Sequence, residues 1–430
     1  MRYTNLPSKI YSQNRKEFSQ HLEPNSIAVF FSNDLMPKTA DQFFSFHQNT
    51  DMFYLSGIDQ EESILILYPD APSEKMKEIL LLRETNEYIA VWEGEKLTKE
   101  KARSFSGIKN VQWNDQFSAL IKGLLSHADT VYFNFNEHDR YDSDVPYLNY
   151  RMAKKIKDEY PLHTYKRANP IMKKLRAIKN DGEIEMMQMA CNITGDAFLR
   201  VLKFVKPGVK EYEIEGEIIH EFIRKAARGH AYEPIVASGA NACVLHYVQN
   251  HDVCKDGDLI LFDFGCEYGM YASDLSRTIP VNGKYTPRQK EVYNAVLDVQ
   301  KQCYQMLRPG VILAEYQAEV EKLLENKCIE LGLFTKSDVA NQNPEQPLVK
   351  KYFPHGTSHH IGLDVHDIPF REDKIEAGMA FTIEPGLYIR EEGIGVRIEN
   401  DIIITNEGYL DLMQDIPREV EEIEDIMNRS

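Results

Sequence analysis

Short apolar runs stopped by turn residues alternate with helical patterns along the first third of the chain. Residues 27–31 (Ile-Ala-Val-Phe-Phe) end at Ser32-Asn33-Asp34, and residues 63–68 end at Pro69-Asp70. Residues 78–82, 88–92 and 130–135 repeat the pattern and are predicted as strands. Between the last two, residues 117–125 keep helical spacing. This order predicts an α/β domain. Residues 154–173 are polar and basic and carry Pro161 and Pro170. The boundary is placed there, giving domains 1–170 and 171–430.

The second domain opens on a helix. Asn180 is a natural N-cap with Glu183 three residues on, and Met186, Ala190, Ile193, Ala197 and Val201 share one face. Pro207-Gly208 stops it. Thr286 caps a second helix, with Pro287 at its first position and Gln289 completing the box. Val292, Val296, Val299, Cys303 and Met306 form its apolar stripe, and Pro309-Gly310 stops it. The two segments read as copies. Lys206-Pro207-Gly208-Val209 returns as Arg308-Pro309-Gly310-Val311 at an offset of 102, and Glu217, Ile218 and Phe222 return as Glu319, Val320 and Leu324. The run from Gly257 to Gly265 returns from Gly378 to Gly386 at an offset of 121. A duplicated unit with pseudo-twofold symmetry and an insertion in its second half is expected.

Acids inside apolar strands carry the chemistry. Leu259-Ile260-Leu261-Phe262 ends in Asp263, and Asp274 follows eleven residues later. A hairpin turning at Tyr268-Gly269 would set 263 opposite 274, on one face. In the second half Glu384 ends Ala380-Phe381-Thr382-Ile383, and Glu399 follows Gly395-Val396-Arg397-Ile398. A hairpin turning at Glu391-Glu392 would set 384 opposite 399. Four carboxylates gathered among apolar residues repel one another, and cations are the remedy. Four oxygen donors suit a two-metal site. Four of the thirteen histidines, His355, His359, His360 and His366, fall within twelve residues and offer an imidazole ligand. Mostly oxygen ligands with one imidazole suit Mn²⁺ first, with Co²⁺, Fe²⁺ and Zn²⁺ as alternatives. HExxH is absent: His220-Glu221-Phe222-Ile223-Arg224 ends in Arg. No P-loop, GxGxxG or GxSxG occurs, which sets aside nucleotide enzymes and α/β-hydrolases.

Composition narrows the partners. With 430 residues, 43% hydrophobic and 27% charged, the chain is ordinary globular material for two or three domains. The net charge of −17 repels a phosphate backbone and an anionic membrane surface, so neither nucleic acid nor membrane is an expected partner. No apolar run approaches ~18 residues, and the opening residues lack the apolar core of a secretory signal. Six cysteines without a CxxC pair read as reduced thiols, and a cytoplasmic protein is expected.

Residues 171–420 resemble the pita-bread metallopeptidases, a family spanning aminopeptidase P, prolidase, methionine aminopeptidase and creatinase. The matching motifs are Val244-Leu245-His246-Tyr247, Asp263, Asp274, His355-Gly356-x-Ser358-His359, Asp364-Val365-His366-Asp367, Glu384-Pro385-Gly386-Leu387-Tyr388 and Arg397-Ile398-Glu399. The first 170 residues resemble the N-terminal domain of the aminopeptidase P branch at residues 51–57 and at Val91-Trp92-x-Gly94. Methionine aminopeptidases lack that domain, creatinase lacks the metal ligands, and the short stretch between Asp367 and Gly378 lacks the insertion of eukaryotic prolidases. His360 stands where bulky aromatic or apolar residues are common. The resemblance implies an α/β (α+β) chain: an N-terminal mixed-sheet domain followed by a pseudo-twofold pita-bread domain. It implies Asp263, Asp274, His359, Glu384 and Glu399 as ligands of two divalent metal ions. It places His246, His355 and His366 around the substrate, with Tyr388 and Arg397 in support and Glu384 relaying a proton. It implies hydrolysis of peptides with proline second, in a homo-oligomer where Trp92 reaches a neighbouring site. The alternatives are a prolidase acting on Xaa-Pro dipeptides, or a non-enzymatic binding protein of this fold.

Overall fold

The computed structural model describes residues 3–367 and 374–429. Contacts divide the chain into a unit of Asn5–Arg176 and a unit of Ala177–Ser430 with Met1–Thr4. The expected short connection after Asp367 falls mainly on residues 368–373, outside the described residues, as do Met1 and Arg2 of the opening segment.

In the first unit the apolar runs become a six-stranded sheet. Its strands are β1 (Ser26–Phe31), β2 (Ile64–Leu67), β3 (Glu78–Leu82), β4 (Asn110–Trp113), β5 (Thr130–Phe133) and β6 (Thr164–Arg167), in the order β4-β3-β2-β1-β5-β6. The sheet is mixed: β1 runs antiparallel to β2 and parallel to β5. Every residue of β1 is buried, as its unbroken apolar run requires. One face packs Ile27, Val29, Phe31, Ile66 and Val131 against Phe117, Ile121 and Leu124 of the helix Phe117–Leu125. Residues 88–92 are not the expected strand. They lie in helix α1 (Glu87–Glu93), where the Asn86 side chain accepts from Ile89 N at 2.9 Å. Tyr88, Val91 and Trp92 stay exposed, so no sheet burial opposes the local cap.

In the second unit both predicted caps form. Glu183 N donates to Asn180 Oδ1 at 3.2 Å and opens helix α3 (Asp181–Phe204), with α2 now denoting Phe117–Leu125. Gln289 N donates to Thr286 Oγ1 at 3.3 Å and opens α5 (Pro287–Met306). Each is followed by its Pro-Gly turn and a second helix, α4 (Glu211–Arg224) and α6 (Leu313–Glu330). Gly208 and Gly310 take φ of 94° and 89°, which favours glycine, and donate to Cys254 O and Ile375 O at 2.9 and 2.8 Å. The duplication is therefore visible down to matched hydrogen bonds.

The strands of the two halves carry the acids. β7 (Ile235–Ser238), β8 (Leu259–Phe264) and β9 (Leu275–Pro280) form one antiparallel sheet. In the other half β10 (Ala380–Ile383) pairs β13 (Asn400–Ile404), and β11 (Gly386–Ile389) pairs β12 (Ile394–Arg397). The second register is the expected one, continuing Glu384 opposite Glu399 between the two ladders. The first is not: Asp263 faces Ser276, because the turn pairs Tyr268 with Tyr271 and so centres on Gly269-Met270 rather than on Tyr268-Gly269. A shift of two residues keeps side-chain parity, so Asp263 and Asp274 still share a face. Glu399 N donates to Ser276 O at 3.0 Å, joining the halves where the acids meet.

Candidate metal centre

Five predicted ligands stand at or just beyond strand ends. Asp263 lies in β8 and Asp274 immediately before β9. Glu384 and Glu399 occupy the breaks between β10 and β11 and between β12 and β13. His359 lies beside β10, with its N donating to Thr382 Oγ1 at 3.2 Å. Ligand atoms of Asp274, His359 and Glu399 all come within 4.8 Å of one another. His359 Nε2 is 3.5 Å from Asp274 Oδ2 and 3.6 Å from Glu384 Oε1. Its Nδ1 faces His360 O at 3.0 Å, which turns Nε2 toward the carboxylates.

The carboxylates are oriented from behind. Tyr232 OH reaches both Asp263 Oδ1 and Asp274 Oδ1, at 2.6 and 2.5 Å. Arg397 Nη2 donates to Asp263 Oδ2 at 2.6 Å and its Nε to Ser276 Oγ at 2.8 Å. Ser276 Oγ donates to Glu399 Oε2 at 2.7 Å. Asp274 N donates to Asp401 Oδ2 at 2.9 Å. Sequence patterns pointed to none of Tyr232, Ser276 and Asp401: each sits among ordinary neighbours, and only packing brings it to the acids.

The electrostatics fit cations. Burial pushes the Glu384 carboxyl up to about 7, against the opposing charges of His359 and Arg397. Burial, then Asp274, Glu384 and Asp263, holds Glu399 well above the carboxylate range. Burial raises Asp263 as well, despite Arg397. At His359 burial favours the neutral ring, yet Asp274 and Glu384 carry it up to about 9. Glu399 Oε1 is buried and makes no hydrogen bond among the described residues. A pocket that retains protons on its acids and its imidazole has surplus negative charge, and divalent cations answer it by displacing those protons.

The comparisons with known proteins agree with this chemistry. Residues 185–406 match the model of metallopeptidase family M24, and residues 11–132 match that of the aminopeptidase P N-terminal domain. The chain belongs to metallopeptidase family M24. It is 34% identical to a Xaa-Pro aminopeptidase of Haemophilus influenzae over 98% of both chains. It is 31% identical to Xaa-Pro aminopeptidase 3 of Homo sapiens over 98% of this chain and 85% of the human one. It superposes on zinc-substituted Escherichia coli aminopeptidase P in complex with product with a TM-score of 0.87, at 32% identity over 99% of each chain. The pita-bread fold expected for residues 171–430 is the fold of these neighbours. As an M24 member the chain is a peptide hydrolase whose family works with divalent metal ions.

The remaining predicted residues are His246, His355, His366, Tyr388 and Arg397. His355 Nδ1 faces Gly356 O at 2.7 Å and Nε2 faces Tyr388 OH at 2.8 Å. Tyr388 OH accepts from Arg397 Nη1 at 2.7 Å, so its own hydrogen goes to His355 Nε2. His355 is thus a neutral Nδ1–H tautomer, and burial followed by the Arg397 charge pushes it down to about 3. His366 is exposed and stacks on His359, ring centroids 4.1 Å apart. His246 is exposed on the loop after β7. The loop from His359 to His366 is anchored by Asp367, which meets Lys179 Nζ at 2.9 Å with both side chains buried. No helix among the described residues is long and apolar enough to cross a membrane.

Proposed function

We propose that this M24 peptidase releases the N-terminal residue from peptides whose second residue is proline, with the chemistry in residues 171–430. One observation carries the reading: relatedness to a Xaa-Pro aminopeptidase spans 98% of this chain and of that protein, N-terminal domain included. Asp263, Asp274, His359, Glu384 and Glu399 hold two divalent cations, Mn²⁺ by preference because four of five ligands are hard oxygens. Bound there, such cations make water a nucleophile near neutral pH and polarise the scissile carbonyl.

The chain's own groups do the rest. Glu384 takes the proton of the attacking water on a carboxylate oxygen and returns it to the proline nitrogen as the bond breaks. His366, solvent-facing on the His359 ring, donates to the charge growing on the carbonyl oxygen, and His246 closes the other side. Arg397 and Tyr232 hold Asp263 and Asp274 in ligating orientation. His355, with both nitrogens engaged, shapes the wall through Tyr388. The exposed Tyr88, Val91 and Trp92 on α1 support a homo-oligomer that covers this face. Six free, buried cysteines support a cytoplasmic setting.

The test compares an Xaa-Pro-Xaa tripeptide with the Xaa-Pro dipeptide, before and after chelation. Tripeptide cleavage that chelation abolishes and Mn²⁺ restores best supports the reading. Preference for the dipeptide assigns a prolidase instead, and full activity in metal-free protein refutes the two-metal centre.

A further inference from the structure

Glu211, the first residue of α4, is a fully buried carboxylate in no way engaged with the metal centre. Five neutral donors surround it. Oε1 accepts from Ser238 N and Ser238 Oγ, both at 2.7 Å, and from Asn241 Nδ2 at 3.4 Å. Oε2 accepts from Tyr247 OH at 2.7 Å and Asp252 N at 2.9 Å. All five donors belong to residues 238–252, the loop that leaves β7 and carries His246. The positive end of α4 supports the buried charge. Asn241 Nδ2 also donates to Asp252 Oδ2 at 2.8 Å, drawing the two ends of the loop together. Leu245 and Tyr247, on either side of His246, pack in an apolar cluster with Tyr388, the residue bonded to His355 and Arg397.

A carboxylate is the side chain this arrangement needs. Both its oxygens only accept, and five donors converge on them. An amide would turn an NH₂ toward two or three donors at whichever oxygen it replaced. We infer that Glu211 is a positioning residue for His246: from the helix end it fastens the loop at four residues and sets where the exposed imidazole stands. Tyr247 is the direct link, since its hydroxyl is tied to Glu211 and its backbone adjoins His246. The inference rests on the proposed substrate-facing role of His246.

The test uses the metal-loaded enzyme and a tripeptide with proline second. Glu211→Gln is expected to lower kcat/KM by about 10²-fold, the scale of a misplaced reacting group. Bound metal stays at the wild-type level, and backbone amides of Ser238 and Asp252 exchange faster with deuterium. The deciding measurement is a cycle with His246→Ala. If Glu211 acts through His246, the double variant is little slower than His246→Ala alone; a merely structural loss multiplies with it. Multiplying effects, or activity lost in step with metal, overturn the inference. If Glu211→Gln does not fold, Tyr247→Phe removes one donor of five and enters the same cycle, with the same outcomes. A His246→Ala enzyme of normal activity overturns the role of His246 itself, and unchanged amide exchange in Glu211→Gln overturns the fastening alone.

Discussion

Gly362→Ala tests whether the buried ion pair beneath the histidine loop holds that loop in place. Gly362 lies between His359 and His366. A Cβ added there would stand 2.5 Å from Asp367 Oδ2, 2.8 Å from Lys179 Nζ and 2.9 Å from Lys179 Cε. The backbone has little room to retreat, because Gly362 O accepts from Ala272 N at 2.8 Å and Gly362 N donates to Asp364 O at 3.1 Å. Its φ is outside the left-handed region, so the clash alone sets the penalty. Overpacking a dense site costs ~1–3 kcal/mol. Disrupting a buried ion pair costs ~3–5 kcal/mol when one partner is removed outright, which bounds the effect from above. A loss of about 3 kcal/mol lowers the thermal midpoint of a unit this size by about 6–12 °C. Calorimetry on the metal-loaded protein reads it. The control is the same substitution in a Lys179→Ala background, where the Nζ and Cε atoms are gone and Asp367 Oδ2, released from its ion-pair partner, can swing away from the added methyl. There it is expected to cost less than half as much. A midpoint within about 1 °C of wild type, or an equal loss in both backgrounds, would refute the reasoning.

Glu384→Gln keeps the side chain's shape but removes a ligand charge and the proton acceptor. It is expected to lower kcat by about 10²–10⁴-fold with the thermal midpoint retained, and near-normal turnover contradicts the assignment. His366→Ala removes one donor to the developing oxyanion and is expected to cost about 10²–10³ in kcat with bound metal unchanged. Loss of metal or a collapsed midpoint in that variant would show that His366 supports the centre rather than the substrate.

Much of what depends on neighbours a few residues apart was legible in the sequence. Asn180 with Glu183 and Thr286 with Gln289 opened their helices as read, because a cap is a contract between residues three apart. The Pro-Gly turns and the register around Glu384 and Glu399 followed from local chemistry in the same way. Acids ending apolar strands announced the cluster that Asp274, His359 and Glu399 form, because burying such charges is costly without a cation to balance them. Residues 88–92 misled for the converse reason: aromatic and β-branched content suggested a strand, but that preference expresses packing, and here nothing packs. Tertiary structure alone decided the rest. The turn pairing Tyr268 with Tyr271 moved Asp263 onto Ser276, since backbone geometry, not symmetry of spacing, sets a hairpin's centre. Tyr232 reaches Asp263 and Asp274 across 31 and 42 positions, and Glu211 gathers its donors from 27 to 41 positions away. A hydrogen bond at such separation leaves no periodicity along the chain. It exists only because packed strands and a helix end bring both groups within 3 Å, out of reach of competing water.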